Sequence, residues 1–134
     1  MANNLFALGR QKFLEGGINW LQDTIKLALI DTDKVTVDVN KDEMYSSYSS
    51  ATIGVPQEIK NKSSFYGVAR GDSVVFPTIN GSKIGALVIY KDTGTENRSP
   101  LIAYIDTAQG LPITPNGGDI TINWDAGPYG IFML

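Results

Sequence analysis

Residues 84–91 (IGALVIYK), 101–106 (LIAYID) and 119–124 (DITINW) carry the most regular pattern in the chain, and their reading decides the fold. The first run is apolar at every position from Ala86 to Ile89, the mark of a central strand covered on both faces. A polar, turn-rich connection, DTGTENRS (92–99), separates it from the second run, so the two are expected to pair as a hairpin. A Pro/Gly loop, GLPITPNGG (110–118), leads to the third run, in which Ile120, Ile122 and Trp124 share one parity and hence one face. That parity places Trp124 in the core; Trp20, which precedes its strand, is less determined.

Working outward, Ile25, Leu27 and Leu29 alternate with Lys26, Ala28 and Ile30, which predicts a strand with one buried face. After a turn at Asp31-Thr32-Asp33, Val35, Val37 and Val39 continue the alternation against Thr36 and Asp38 and predict a second strand, joined as a hairpin or a corner. Short strands are expected over 51–55, 64–69 and 73–76, punctuated by Pro56, Gly67, Gly71 and Pro77, with a turn at Asn80-Gly81. A turn over 125–128 and a strand over 131–134 finish the chain. Frequent Gly and Pro, strands throughout and one helix point to a mainly β fold, an antiparallel two-sheet sandwich of jelly-roll type, as one domain over 1–134.

The helix is the N-terminal one. Asn3 and Asn4 are placed to cap it, Leu5, Leu8 and Lys12 fall on one line with Phe6 and Phe13 nearby, Gly9 weakens it, and Gly16-Gly17 end it. Residues 1–18 either lie across one end of the sheet or form an arm that packs on a neighbouring chain. Residues 40–50 (NKDEMYSSYSS) read as an exposed loop carrying Tyr45 and Tyr48; Tyr pairs of that kind are common at interfaces, but a loop packed on itself is the favoured reading here. The candidate partner-interface residues are Leu5, Phe6, Phe13, Tyr45 and Tyr48.

The totals narrow the chemistry. The chain has 134 residues, 43% of them apolar and 19% charged, enough for one sizeable core and without the continuous apolar run of about 18 residues that a membrane helix needs. A net charge of −3 and eleven scattered basic residues, densest at Lys60 and Lys62, argue against nucleic acid. There is no Cys and therefore no disulfide or thiolate. The opening MANNLFALGRQKFLEGG has no secretory pattern, so synthesis in the cytoplasm is expected.

The absence of His removes imidazole catalysis and imidazole metal ligation together. Neither GxxxxGK[ST] nor a spaced GxGxxG occurs to cradle a nucleotide. Paired carboxylates remain a route to acid–base chemistry. Yet Asp31, Asp33, Asp92, Asp106, Asp119 and Asp125 all fall at strand ends, where Asp serves turns by accepting from nearby N–H groups. A calcium site at Asp92, Asp106 or the 116–119 loop would match no EF-hand spacing. The expectation is a protein with no catalytic residue, cofactor or metal.

Three stretches add a resemblance: IYKDTG (89–94), LIAYIDTAQGLPITPNGGDITINWDAG (101–127) and the terminal IFML, together with the opening NNLFALGRQKFLEGGINWLQDTIKLALID. In these the chain resembles a family of small structural proteins from the virions of tailed bacteriophages, over both ends and roughly two thirds of its length; residues 35–82 match much less. The resemblance implies a capsid cement or decoration protein, a jelly-roll-like domain on the outside of the head, assembled in the host cytoplasm and tying major capsid protein subunits together. It also implies self-association, with a dimer ahead of a trimer. Some relatives are tail-associated, so a receptor- or glycan-binding module using the Tyr45–Tyr48 loop is the rival expectation.

Overall fold

In a computed structural model the residues described are 4–106, 111–124 and 130–134. Among them the protein is mainly β, with one α-helix and antiparallel strands throughout. The strands are β1 (Asn4–Leu5), β2 (Ile25–Ile30), β3 (Thr52–Glu58), β4 (Ser63–Phe65), β5 (Val68–Arg70), β6 (Val74–Phe76), β7 (Ala86–Lys91), β8 (Leu101–Ile105), β9 (Ile120–Ile122) and β10 (Phe132–Met133); α1 is Ala7–Leu14. They form three sheets: a five-stranded one ordered β1-β8-β7-β2-β3, a three-stranded one ordered β10-β5-β4, and the pair β6-β9. The expected turn at 125–128, and Asn3 and Asp125, lie outside the described residues.

The apolar run in β7 places it at the centre of the large sheet, hairpin-paired with β8 through Leu87↔Ile105 and Val88↔Tyr104. One face of this sheet presents Ile25, Leu27, Leu29, Leu87 and Ile89 to a core shared with Val74 and Phe76 of β6, Ile122 of β9 and Phe132 of β10. The other face presents Ala28, Ile30, Ala86, Val88 and Tyr90 to Phe6, Tyr45 and Tyr48. Strand β2 is therefore covered on both faces, where alternation alone predicted one: Ala28 and Ile30 are fully buried and Lys26 is half-buried. Its alternation came from Lys26, which sits near the strand end and reaches Asp92 at 2.9 Å.

What covers the second face is irregular chain. The strand expected at Val35, Val37 and Val39 is absent: residues 32–34 make a 3-10 turn, the chain leaves it extended at Val35 and turns again at Val39, and the three valines pack half-buried against the second core with no ladder partner. Extended backbone with period-2 side chains is half of a strand; a ladder partner is the other half. Strand β3, the sheet edge, runs through Pro56, which an edge tolerates because its missing N–H faces outward. Between the pairs Leu27↔Gln57 and Leu29↔Ile53 it bulges at Gly54 (φ +72°), which bends it away from straight pairing.

Helix α1 packs on β8 of its own chain. Gly9 is what permits it, because a side chain there would run into the Leu101 carbonyl; the glycine that weakens the isolated helix lets helix and strand meet backbone to backbone. Asn4 lies in β1, paired with Tyr104, and the residue at the helix N-cap is Phe6, which offers no side-chain cap. The end is as expected, with Gly16 left-handed at φ +77°.

Candidate partner interface

The five candidate interface residues separate by burial. Phe6 is fully buried beneath the large sheet, edge-on to Tyr48 with ring centroids 5.7 Å apart. Tyr48 is fully buried as well, and its hydroxyl donates to Asp42 Oδ2 at 2.7 Å. Tyr45 lies flat on Tyr90, centroids 4.0 Å apart, with its hydroxyl 2.6 Å from Thr52 Oγ1. The exposed Tyr loop predicted for 40–50 is thus corrected: these rings fill a core, their polar tips satisfied inside it, and offer no surface to a partner or a glycan. The cause is two consecutive 3-10 turns, Tyr45–Ser47 and Ser49–Ala51, in which residues three apart stack on one side. Burial raises the Tyr48 hydroxyl well above the ordinary tyrosine range, and donation to Asp42 adds to this. Tyr90 is raised by burial first and then by the charge an ionised Tyr45 would bring; Tyr45 and Tyr104 are raised mainly by burial.

Leu5 and Phe13 are half-buried and pack on the first core. Of the five, Phe13 lines an apolar groove of about 370 Å³ whose wall also includes Ile18, Trp20, Leu21, Phe132 and Leu134. Its floor is well held. Trp20 is buried, stands edge-on to Phe132 at 5.2 Å, and donates its indole N–H to the carbonyls of Ser63 (3.0 Å) and Arg70 (3.3 Å). Lys91 Nζ fixes the adjoining chain by donating to the Gly17 carbonyl at 2.9 Å and pairing with Asp23 at 3.3 Å. Trp124 also belongs to the first core, half-buried, with its indole N–H on the Asp72 carbonyl at 2.9 Å.

Beside the groove stands a feature absent from the sequence reading. The single strand expected over 64–69 is a hairpin, β4 and β5, closed at Phe65↔Val68 by the two residues Tyr66 (φ +50°) and Gly67 (φ +76°). Two positive φ values make a type I′ turn, whose first position favours Asn, Asp or Gly. Tyr66 is 90% exposed and Phe65 67% exposed, and their rings touch each other at 4.3 Å. Ser64 and Gly67, which flank this tip, line the groove. The signal that could have found the turn is Gly67 after a polar-aromatic run, but a tyrosine in the Asn position hides it. Leu21 and Leu134, both exposed, line the groove; besides Phe65 and Tyr66, the other large apolar side chains exposed among the described residues are Leu14, Val55, Val75 and Met133.

The aspartates at strand ends serve turns where a bond is formed. Asp31 accepts from Asp33 N–H at 3.0 Å, Asp92 from Gly94 N–H at 2.9 Å and Asp119 from Thr78 N–H at 3.0 Å. The Asp92 carboxyl is held below its ordinary range, chiefly by Lys26 and then by Gly94 N–H. Among the described residues no group of three or more acidic side chains gathers to hold a metal ion, and no helix is long and apolar enough to cross a membrane. A scan of the chain against protein-family models finds no match, and a search of the curated proteins finds none.

Proposed function

We propose that the protein is a capsid cement or decoration protein of a tailed bacteriophage, carried on the exterior of the head and assembled there in the host cytoplasm. The observation that supports an assembly role is the apolar groove walled by Phe13, Trp20 and Phe132, with exposed Leu21 and Leu134 lining it and the exposed Phe65–Tyr66 tip beginning beside it, a surface of the kind expected to bind protein. The major capsid protein lattice as partner is what the resemblance of 101–127 to small virion proteins of tailed bacteriophages implies. In this reading the large sheet and the small sheets make a two-layer sandwich of jelly-roll kind, a rigid body that bridges neighbouring capsid subunits. Self-association makes several modest contacts act together, which raises retention on the particle without one tight site.

The test is direct. Purified protein is added to expanded capsids lacking it, and co-sedimentation and heat resistance are followed. Binding with a raised disruption temperature is expected; particles that neither bind the protein nor gain resistance would end this reading. The rival, a tail-associated module that holds a glycan with Tyr45 and Tyr48, loses the two rings it depended on, since both are core residues.

A further inference from the structure

We propose that Asn80 is a site of spontaneous covalent modification, deamidated by the backbone nitrogen of Gly81 with water as co-reactant, and that the fold protects the chain's other Asn-Gly pair, Asn116-Gly117. The modification does not depend on the cement reading and is measured without capsids.

The chemistry starts in the sequence. An Asn followed by Gly sets a carboxamide carbon one ring closure away from the next backbone nitrogen, which glycine leaves unshielded; the chain holds two such pairs. In the reaction the Gly81 nitrogen gives its proton to solvent base and attacks Asn80 Cγ. A C–N bond forms, the Cγ–Nδ2 bond breaks, and Nδ2 leaves as ammonia, giving a five-membered cyclic imide. Water then opens the ring. Opening at Cγ restores the ordinary backbone with an aspartate at position 80. Opening at the backbone carbonyl carbon leaves the chain running through the side chain, one methylene longer. Either product adds one negative charge to a chain whose net charge is −3.

In an unfolded chain the two pairs would react alike; the fold separates them. Gly117 N–H donates to the Ile79 carbonyl at 2.9 Å, and Asn116 Oδ1 accepts from Gly118 N–H at 3.0 Å. Attacking nitrogen and attacked carboxamide are therefore both tied. At the other pair neither the Gly81 N–H nor the Asn80 side chain has a hydrogen-bond partner among the described residues, and both residues are exposed.

The place gives the modification a consequence. Asn80 follows Ile79, which is buried and bonded through both backbone groups to the 116–119 loop: its N–H donates to the Gly118 carbonyl at 3.0 Å and its carbonyl accepts from Gly117. The Asn80 carboxamide lies against Gly117, where a Cβ would come within 3.1 Å of Oδ1. A new carboxylate at position 80 thus falls beside a loop that already carries Asp119, and the longer backbone falls in the link between β6 and β7.

The experiment incubates the full chain at mildly alkaline pH, folded and, in parallel, unfolded in guanidinium. Trypsin then places Asn80 in the peptide 71–83 and Asn116 in the peptide 99–134. Mass spectrometry with fragmentation follows the gain of about 1 Da at each asparagine, and isoaspartyl methyltransferase labelling marks the longer-backbone product. In the folded protein Asn80 is expected to convert about ten-fold or more faster than Asn116, because two hydrogen bonds must open before Gly117 can attack. In guanidinium the two rates are expected to come together. Asn80→Gln, whose extra methylene disfavours the five-membered ring, is expected to remove most of the acidic shift seen on isoelectric focusing of the aged protein. Equal rates in the folded protein, a faster Asn116, an Asn80 that converts only when the chain is unfolded, or an acidic shift undiminished in Asn80→Gln overturns the proposal.

Discussion

Tyr45 with Tyr48 and Phe65 with Tyr66 are two aromatic pairs from the same middle stretch of chain, both set among small polar residues, and the fold treats them oppositely. The first pair lies on consecutive 3-10 turns and ends as the lid of the large sheet, ring on ring with Tyr90 and Phe6. The second pair lies at the end of a hairpin of three-residue strands, Phe65 closing its ladder and Tyr66 in its turn, and both rings are exposed. Both pairs have polar neighbours in the sequence; what differs is whether the local backbone returns the side chain to a sheet already formed. A 3-10 repeat of three aligns Tyr45 and Tyr48 over one face. A type I′ turn holds Tyr66 beyond the last cross-strand pair, and Phe65, paired with Val68 at that end, remains 67% exposed.

The largest test of this contrast is truncation. Tyr48→Ala removes a fully buried ring together with the bond to Asp42 and is expected to cost about 3–5 kcal/mol. Tyr66→Ala, the same chemical change at an exposed site, is expected to alter stability by no more than about 0.5 kcal/mol. Urea unfolding of both variants decides it. Similar losses from the two would break the contrast.

Alkaline pH gives the next largest effect. Tyr48 and Tyr90 hold their protons more tightly in the folded protein than in the unfolded chain, chiefly because burial penalises the phenolate. The neutral rings' contribution is therefore complete below the unfolded value of about 10 and is lost as the pH rises above it toward the folded values. Stability measured from neutral pH upward is expected to fall once the pH passes about 10. Tyr48→Phe, which cannot ionise, is expected to make that fall shallower, at a cost near neutrality of about 1 kcal/mol for the lost bond to Asp42. An unchanged alkaline profile would show that the Tyr48 ring is not as enclosed as the contrast requires.

How much of this was legible in the sequence follows from the same contrast. Strands β7 and β8 were readable, with β8 matching its predicted partner, because unbroken apolar runs between turn residues have few other homes in a chain of this size. The end of α1 was readable because Gly16 offers a left-handed conformation cheaply. The start was not, since β1 claimed Asn4 for a ladder with Tyr104, a pairing far away in sequence. The valines at 35, 37 and 39 show the limit of periodicity, which reports an extended chain facing a core and is silent on whether a neighbouring strand exists. At the candidate interface only Phe13 was named in advance. Trp20 was hidden because it acts through distant carbonyls on Ser63 and Arg70, and the tip because Tyr66 replaces the residue that would have marked its turn.

A smaller change sharpens the exposed half. Tyr66→Gly relieves the left-handed strain of about 1–2 kcal/mol but adds the unfolded-state freedom of glycine, worth about 0.5–1 kcal/mol. Monomer stability is expected to lie between unchanged and about 1.5 kcal/mol higher. Guanidinium unfolding at a concentration where the chain is monomeric measures it. A clear loss would mean that Tyr66 supports its own fold after all and is not free for a partner.

The smallest expected effect lies where β7 leaves the tyrosine cluster. Asp92 pairs with Lys26 at 2.9 Å, accepts from Gly94 N–H, and its charge also disfavours ionisation of Tyr90 nearby. Its carboxyl is held below the ordinary range, by Lys26 first, so its contribution is present above the unfolded value of about 3.9 and is lost as pH falls through the lowered folded value. Both partners remain partly open to water, at 31% and 24% exposure, so solvent screening keeps the pair near 0.5 kcal/mol. Asp92→Asn is therefore expected to cost about 0.5 kcal/mol at neutral pH, a cost that shrinks as the pH falls through the lowered folded value of the wild-type carboxyl. The same variant removes a charge that opposes the Tyr90 phenolate, so the alkaline fall should be slightly shallower than in wild type. A loss that persists undiminished in acid would trace the effect to turn geometry at Gly94 rather than to charge, and would leave the alkaline tyrosines as the one titrating feature that separates the buried pair from the exposed one.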